Sequence, residues 1–165
     1  MSEPSRVLPT RGGDHLLRRA TADDLDAILQ LLADDPISAS RGDRARAEDR
    51  PAYERAFEAI DRDLAQQLLV AVDEEGVVVG TMQLTLIPGL ARQGATRLQI
   101  EAVRVRADRR SHGIGAAMMR WAVASAREQG AALVQLTSDS ARVDAHRFYE
   151  RLGFTGSHVG FKLRL

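Results

Sequence analysis

The arrangement of the strands can be read from residues 97–137, RLQIEAVRVRADRRSHGIGAAMMRWAVASAREQGAALVQLT. Residues 97–106 are rich in apolar and β-branched side chains and predict a strand. Apolar residues then recur at helical spacing over residues 113–129, and residues 133–137 form a short apolar run typical of a buried strand. A strand, a helix and a strand in this order make a crossover connection. The two strands are therefore expected to be parallel neighbours, with the helix N-terminus at the C-terminal end of the first strand.

Outside this crossover, the chain alternates further strands and helices. Upstream, a strand at residues 15–20 leads to Thr21, the N-cap of a predicted helix, and a polar loop follows that helix. A second helix is expected from Pro51 to about Gln66, with Leu64 on its apolar face. The remaining expected elements are hairpin strands at 68–73 and 77–87, a helix at 142–152, and one or two strands in 154–165. This order predicts a mixed α/β fold of the α+β type.

Chain length and composition fit a single folded domain. The 165 residues are 44% hydrophobic and 28% charged, which is ordinary for a globular protein with one substantial core. Residues 1–13 mix Ser, Pro, Arg and Gly without periodicity, so we expect them to form a flexible N-terminal leader. The folded domain is then expected to span residues 14–165.

The charge balance and the lack of cysteine narrow the choice of partners. With 23 basic and 23 acidic residues and 4% aromatic residues, the chain offers no reason to expect nucleic acid or a membrane as a partner. The absence of cysteine excludes disulfides and an acyl-cysteine intermediate, and it fits a reducing, cytoplasmic location. The four histidines lack the spacing of metal ligands, so no metal site is expected.

The turn inside the crossover has features of a phosphate-binding loop. It reads Arg110-Ser-His-Gly-Ile-Gly and opens directly into the predicted helix. Glycines let backbone N–H groups approach a ligand closely, and the free amides of a first helical turn favour an anion. The turn lacks the lysine of a nucleotide P-loop and does not match the GxGxxG pattern. On local geometry alone, phosphate binding and a plain tight turn remain alternatives.

Two motifs together resemble those of the GNAT N-acetyltransferase superfamily. The turn is similar to the Arg/Gln-x-x-Gly-x-Gly/Ala acyl-CoA motif of that superfamily. Residues 139–154, DSARVDAHRFYERLGF, are similar to its C-terminal motif, Arg-x-x-Ala-x-x-Phe-Tyr-x-x-x-Gly-Phe. The two motifs occur in the order of the family and lie within residues 100–154. The resemblance implies a single GNAT-like domain, in which helices flank a mixed, mostly antiparallel sheet with a central, splayed pair of parallel strands.

The resemblance also implies that acetyl-CoA is the acyl donor and that it binds where the parallel strands splay apart. The apolar positions change parity between Ile100 and Val103, which indicates a one-residue β-bulge at Ala102. The alternative is an accidental change, because Ala102 is small enough for either face. In the family, such a bulge frees backbone groups for the pantetheine arm. The donor-binding residues implied are Val103, Arg104, Val105, Arg110, Ser111, His112, Gly113, Ile114, Gly115, Ala116, Asp139 and Phe148.

Acetyl transfer to an amine needs a base, a polarised thioester carbonyl and a proton for the leaving thiolate. The resemblance assigns Glu101 as the general base, acting directly or through water, and Tyr149 as the general acid. The backbone N–H of Val103 is the implied polarising donor for the carbonyl. The structural alternatives are a solvated glutamate on a strand and an amphipathic core tyrosine.

The sequence departs from the family pattern at two positions. Ser111 stands where glycine is frequent, which is compatible with the turn if its φ is negative. Asp139 stands where asparagine is common, and a carboxylate cannot donate a hydrogen bond to the pantetheine arm. The acidic residues of the 34–49 loop are interleaved with arginines, so we expect a solvated mixed-charge loop there rather than a site that attracts an amine.

These expectations favour an N-acetyltransferase in which the amine attacks acetyl-CoA directly in a ternary complex. The acceptor can be a small amine or a protein amine. A catalytically silent acyl-CoA sensor or interaction module of the same fold is the alternative, and nucleic-acid binding ranks last. The alternating segment 159–165 can form a sheet edge within the chain or in a homodimer.

Overall fold

One mixed sheet of six strands forms the centre of the computed structural model, which describes residues 5–163 and 165. The strands lie in chain order, and all neighbours are antiparallel except the last pair, which is parallel. The strands are β1 (Arg6–Thr10), β2 (Gly13–Arg19), β3 (Gln66–Val72), β4 (Val78–Ile87), β5 (Arg97–Val105) and β6 (Leu133–Leu136). The prediction of a mostly antiparallel sheet with one parallel pair is confirmed, and this pair lies at one end of the sheet rather than at its centre.

Helices flank this sheet and connect its strands. They are α1 (Leu25–Ala33), α2 (Pro36–Ser40), α3 (Arg50–Arg62), the irregular turn α4 (Ala91–Gly94), α5 (Ile114–Glu128) and α6 (Val143–Arg151). The start of α1 follows the sequence signal, because the backbone N–H of Thr21 donates to the Asp24 carboxylate at 2.7 Å. Such a contact satisfies one of the amides that a helix start leaves free.

The predicted crossover is present as β5, α5 and β6. Arg97 of β5 pairs with Leu133 of β6, and the parallel ladder runs to Ile100 and Leu136. Helix α5 covers one face of the sheet, where Met118 packs in the main apolar cluster. Burial of such side chains contributes about 2 kcal/mol each to stability. The crossover therefore places the N-terminus of α5 beside the C-terminal end of β5.

Helices α1 and α3 cover the opposite face of the sheet. Ile28 of α1 and Phe57 of α3 pack with Val70 and Val72 of β3 in a second apolar cluster. The intervening β3 residues pack on the α5 side, as expected for a strand buried on both faces. The sheet thus separates two apolar layers and exposes its edges and loops for a site.

The expectation of a flexible leader over residues 1–13 is wrong for the part that the structure describes. Arg6–Thr10 forms the edge strand β1, and Leu8 is buried against the main cluster. The Arg11 backbone N–H donates to the His112 carbonyl at 3.0 Å, which ties the hairpin to the glycine-containing turn. The prediction missed this strand because it contains Pro9. Proline cannot donate a hydrogen bond to the sheet and is therefore uncommon in strands, although an edge strand tolerates it. Residues 1–4 lie outside the described residues.

The structure contains one helix that was not expected from the sequence and one helix that ends earlier than expected. The predicted polar loop contains the short helix α2, which Asp35 caps through a 2.8 Å bond from the Ser38 N–H. Helix α3 ends at Arg62 rather than near Gln66, and Leu64 is 98% exposed instead of facing the core. The Asp63 carboxylate accepts from the Ala65 N–H, a local turn that competes with continuing the helix.

The expected strands within residues 154–165 do not form. The described residues of this segment, 154–163 and 165, belong to no strand. Val159, Phe161 and Leu163 are 80%, 93% and 89% exposed. An alternating sequence becomes a strand only when it pairs with another edge, and this segment pairs with none in the described chain.

Candidate functional site at the open edge of strand β5

A β-bulge interrupts the pairing of β5 with β4. Gln83 lies opposite Glu101, whereas Thr81 lies opposite Arg104, so β5 carries one residue more than β4 over this interval. Ala102 has a positive φ of 52°. Val103 and Val105 consequently pack on the same apolar cluster as Leu98 and Ile100, although their parity differs. The predicted bulge is confirmed, and the reading of an accidental parity change is wrong.

The bulge also decides which polar side chains share a face. Directly opposed residues of an antiparallel pair point to the same face of the sheet. Gln83 and Thr81 are two residues apart on β4, so their partners Glu101 and Arg104 share a face despite their spacing of three. Glu101 is exposed there, and Arg104 is partly buried.

Beyond the bulge, β5 has a free edge on the side of β6. The parallel ladder ends at Ile100 and Leu136, whereas β5 continues to Val105. In the described part of the chain, Glu101–Val105 pair only with β4. An extended ligand could bond this edge as a further strand would, although the carbonyls of Val103 and Val105 already accept from the side chains of Arg104 and Arg110.

The glycine-containing turn closes one end of this edge. Gly113 has φ 90° and precedes the first turn of α5, where the amides of Ile114, Gly115 and Ala116 have no acceptor within the helix. A Cβ on Gly115 would lie 3.5 Å from Val105 and 3.6 Å from Phe148. The helix start thus meets β5 and α6 at one point. We call the space bounded by Glu101–Val105, Ile114–Ala116, Phe148 and Tyr149 the β5 cleft.

Ser111 does not have the negative φ at which a serine would fit this turn without strain. Its φ is +66°, in the left-handed region, rather than negative. A non-glycine residue in that conformation costs about 1 kcal/mol or more, because Cβ crowds the following carbonyl oxygen. The turn accordingly keeps the shape that glycine favours, with a serine held in it under strain.

Arg110 and His112 are organised by hydrogen bonds around the turn. The Arg110 Nε donates to the Val105 carbonyl at 3.2 Å, and the His112 Nδ1 donates to the Arg110 carbonyl at 2.8 Å. Both side chains are exposed. The His112 carbonyl in turn accepts from Arg11 of the β1–β2 hairpin. Hydrogen bonds to β5 and to the β1–β2 hairpin therefore hold the turn in place, and the positively charged side chain of Arg110 is exposed to solvent.

Tyr149 and Phe148 of α6 line the other side of the cleft. The Tyr149 ring makes edge contacts with Phe148 at 5.2 Å and with Phe154 at 6.0 Å between centroids. Burial raises the pKa of the Tyr149 phenol, and the nearby charges of Arg104 and Arg142 oppose that rise only partly. The phenol therefore stays protonated over the neutral pH range.

A buried ion-pair network lies next to Tyr149, and sequence reasoning missed it. Asp35 is 8% exposed, and its two carboxylate oxygens accept from the two terminal nitrogens of Arg142 at 2.5 Å each. Burial alone would raise the pKa of Asp35. The bonds from Arg142 and the Ser38 N–H, with the charges of Arg104 and Arg142, outweigh burial and lower that pKa to about 2.

The expectation of a wholly solvated mixed-charge loop is therefore wrong at Asp35. The pair Asp35-Pro36 is a recognisable helix-start signal, since proline favours the first helical position. That signal predicts α2 but not the pairing of Asp35 with Arg142, which is 107 positions away. The interleaved arginines of the loop are exposed, as expected.

Asp139 lies in the loop between β6 and α6, where its carboxylate contacts protein rather than a free space. It forms an ion pair with Arg41, and it accepts from the Ala141 N–H at 2.9 Å. The Ala141 bond, aided by the charges of Arg41, Arg142 and Lys162, lowers the pKa of this carboxyl and outweighs the opposing effect of desolvation. The His146 Nε2 donates to the Asp139 carbonyl at 2.8 Å. Asp139 thus joins α2 and α6 near the cleft.

Metal ligation and membrane insertion find no support in the described residues. Over residues 5–163 and 165, no group of three or more His, Asp or Glu side chains is placed to hold a metal ion. Over the same residues, none of the helices has the length and apolar character needed to cross a bilayer.

Comparisons with known proteins agree with this architecture. Residues 25–154 match the Acetyltransferase (GNAT) family. The aminoalkylphosphonate N-acetyltransferase of Salmonella typhimurium (strain LT2) is 30% identical over 148 residues, 88% of each chain. A solved protein from Bacillus halodurans C-125, described as a transcriptional regulator, has a TM-score of 0.85 at 42% identity and covers 90% of this chain and 98% of its own. An acetyltransferase of Trypanosoma brucei has a TM-score of 0.75 at 25% identity, over 92% of this chain and 100% of its own.

Proposed function

The chain belongs to the GNAT family of acetyltransferases, and from that membership we propose that it transfers an acetyl group from acetyl-CoA to a primary amine. The observation that carries the proposal is the β5 cleft. There, a free strand edge, a helix start with unpaired amides and a partly buried, protonated phenol meet. The strand edge fits the amide-rich arm of an acyl-CoA, the helix start fits its pyrophosphate, and the phenol fits its thioester sulfur.

The donor is proposed to lie along β5 with its pyrophosphate at the turn. The free amides of the first turn of α5 and the guanidinium of Arg110 favour an anion. The backbone of Val103 and Val105 would bond the pantetheine arm as a partner strand does. The full proposed donor-binding set is Val103, Arg104, Val105, Arg110, Ser111, His112, Gly113, Ile114, Gly115, Ala116, Asp139 and Phe148. Arg104 and Asp139 would contribute to donor binding through the backbone, because their side chains contact Ser38 and Arg41 rather than the turn that would hold the pyrophosphate.

The reaction is proposed to proceed by direct attack of the amine on the thioester carbonyl carbon. A C–N bond forms, the C–S bond breaks, and the chain has no cysteine that could carry the acetyl group between them. The Val103 N–H would polarise the carbonyl, and Tyr149 would donate a proton to the leaving thiolate. Glu101, exposed on the face that Arg104 shares, would accept the proton lost by the amine, directly or through water.

The acceptor is a primary amine, either a small molecule or an amine of a protein. The Salmonella typhimurium relative acts on aminoalkylphosphonates, and its similarity over most of both chains favours a small acceptor here. We further propose that the reaction takes place in the cytoplasm, where acetyl-CoA is available.

A homodimer is proposed as the functional assembly. The C-terminal segment, residues 155–163, belongs to no helix or strand and exposes Val159, Phe161 and Leu163, while β6 pairs on one side only within the described residues. A row of exposed alternating apolar residues and an unpaired sheet edge each promote nonspecific association when they are left uncovered. The two features are complementary, because one can pair with the other. Pairing of the segment of one copy with β6 of the other would bury both symmetrically.

The proposed activity is tested by following release of free CoA thiol from acetyl-CoA in the presence of amines. The panel contains small primary amines and a short peptide with a free N-terminus and one lysine. We expect thiol release that depends on one class of amine and saturates with both substrates. Tight binding of acetyl-CoA without release by any amine of the panel would contradict the enzyme and favour the silent acyl-CoA sensor.

A further inference from the structure

Arg104 lies in a partly buried cluster of charged side chains whose positive and negative charges are unequal in number. The Arg104 cluster consists of Asp35, Ser38, Arg104 and Arg142, and it joins the α1–α2 connection, β5 and the N-terminus of α6. It contains two guanidinium groups and one carboxylate. Asp43 lies farther off, where its carboxylate accepts from the Tyr53 hydroxyl at 3.1 Å. The cluster therefore has one more guanidinium than carboxylate, and Arg104 and Arg142 share Asp35 as their ion-pair partner.

Arg104 is the less well compensated of the two arginines. Both oxygens of Asp35 are taken by Arg142 at 2.5 Å, whereas the Arg104 Nε is 3.9 Å from Asp35. Arg104 donates instead to two neutral acceptors, the Ser38 hydroxyl at 2.6 Å and its neighbouring Val103 carbonyl at 2.8 Å. Its buried Nε has no hydrogen-bond partner in the described part of the chain.

Keeping the Arg104 guanidinium away from water without a close anionic partner destabilises the chain, and a bound anion would offset that effect. A guanidinium removed from water is stabilised by a carboxylate or phosphate in direct contact, and such charge-assisted bonds are about twice as strong as neutral ones. Burial lowers the pKa of Arg104, and the charge of Arg142 lowers it further, while Asp35 compensates only in part. The Arg104 side chain is 18% exposed, so part of it is open to solvent.

The position of Arg104 indicates that the anion that would compensate its charge is part of the acceptor. Arg104 follows Val103, whose N–H is the proposed polarising donor, and it shares its face of the sheet with Glu101, the proposed base. Its charge also acts on the Tyr149 phenol. The guanidinium is therefore close to the point where the amine must attack, on the face away from the apolar cluster that contains α5.

We propose that the acceptor carries an anionic oxygen group, a carboxylate or a phosphonate, in addition to its amine, and that the Arg104 side chain binds that group. This inference rests on the proposed acetyl transfer and specifies its substrate class. The oxyanion would accept bonds from the terminal nitrogens of Arg104 in place of the Ser38 hydroxyl. Arg142, held by Asp35, would keep the Arg104 guanidinium in position and add to the positive potential.

The test compares three amines of similar length: 2-aminoethylphosphonate, β-alanine and propylamine. For the unmodified chain, kcat/KM is expected to be at least about 10-fold higher for one or both anionic amines than for propylamine, since hydrogen bonds to a charged group are stronger than those between neutral groups. A higher value for the phosphonate or for β-alanine identifies which anion the site takes. In Arg104→Met, the ratio of anionic to neutral amine should fall toward unity.

Two further variants separate recognition from structural damage. Arg104→Lys keeps the charge without the planar fork and should retain part of the preference. Arg106→Met removes an arginine from the end of the same strand, where it pairs with Asp108 at the surface, and should leave the ratio unchanged. Calorimetric titration with β-alanine in the presence of CoA measures acceptor binding even where turnover is slow.

The outcomes distinguish this inference from the proposed function. Equal kcat/KM for propylamine and the anionic amines, or a preference that survives in Arg104→Met, would overturn the inference and leave acetyl transfer intact. Failure of every panel amine to bind or react, with acetyl-CoA still bound, would also overturn it. Failure of acetyl-CoA itself to bind would remove the proposed function.

Discussion

At the scale of single residues, Tyr149 carries the clearest chemical prediction. Tyr149 is partly buried, desolvation raises the pKa of its phenol, and its ring packs between Phe148 and Phe154. Tyr149→Phe keeps the ring packing and removes only the proton donor. We expect kcat to fall by about 100-fold, while the Kd for acetyl-CoA stays the same. Thiol release and calorimetry measure the two quantities, and an unchanged kcat would make Tyr149 a packing residue.

Ser111 offers a prediction about stability. Its φ of +66° strains a serine, and glycine adopts this conformation without Cβ crowding. After the greater flexibility of glycine in the unfolded chain is subtracted, Ser111→Gly should raise the free energy of unfolding by about 0.5 kcal/mol. Urea denaturation measures this change. Ser140→Gly is the control, because Ser140 has no positive φ, and it should not stabilise the chain. Destabilisation by Ser111→Gly would contradict the strained turn.

Asp35 makes stability depend on pH in a defined range. Its pKa of about 2 in the folded chain is below the ordinary value of 3.8, so its contribution is present above about pH 4. That contribution, about 2 kcal/mol, is lost as pH falls toward 2. The unmodified chain should therefore lose more unfolding free energy between pH 5 and about 2 than Asp35→Asn does. Equal losses in both proteins, measured by urea denaturation at each pH, would contradict the buried pair.

At the scale of elements, the first turn of α5 should decide donor binding. Gly115 has ordinary contact distances for an added Cβ, 3.5 and 3.6 Å, so Gly115→Ala is expected to fold and to bind acetyl-CoA. Gly115→Asp adds a carboxylate that favours the helix start but repels a pyrophosphate. Its affinity for acetyl-CoA should be lower by at least about 10-fold than that of Gly115→Ala, by calorimetry. Similar affinities would place the pyrophosphate elsewhere.

The elements also show what the sequence could and could not predict. The crossover, the hairpin of β3 and β4 and the bulge at Ala102 follow from local periodicity and parity, and they are present in the structure. Strand β1 was missed because Pro9 and exposed residues hide the pattern of an edge strand. The Arg104 cluster was missed because its partners are far apart in sequence, and charge pairing between distant residues leaves no local pattern.

At the scale of the whole molecule, the C-terminal segment predicts an assembly. The unmodified chain is expected to have the mass of a dimer by light scattering after size exclusion. Phe161→Asp places a charge in the alternating apolar row and should shift the mass to a monomer with an unchanged circular dichroism spectrum. Leu90→Asp, at a position 97% exposed elsewhere on the surface, should remain dimeric. A monomeric unmodified chain would show that this segment has another role.

The central claim is that the open edge of β5 and the start of α5 form one binding site for acetyl-CoA. Calorimetric titration of the unmodified chain with acetyl-CoA tests it most directly, before any acceptor is known. We expect saturable binding of one acetyl-CoA per chain, strongly weakened in Gly115→Asp. No saturable heat from the folded, unmodified chain would contradict the presence of this site and remove the proposed reaction with it.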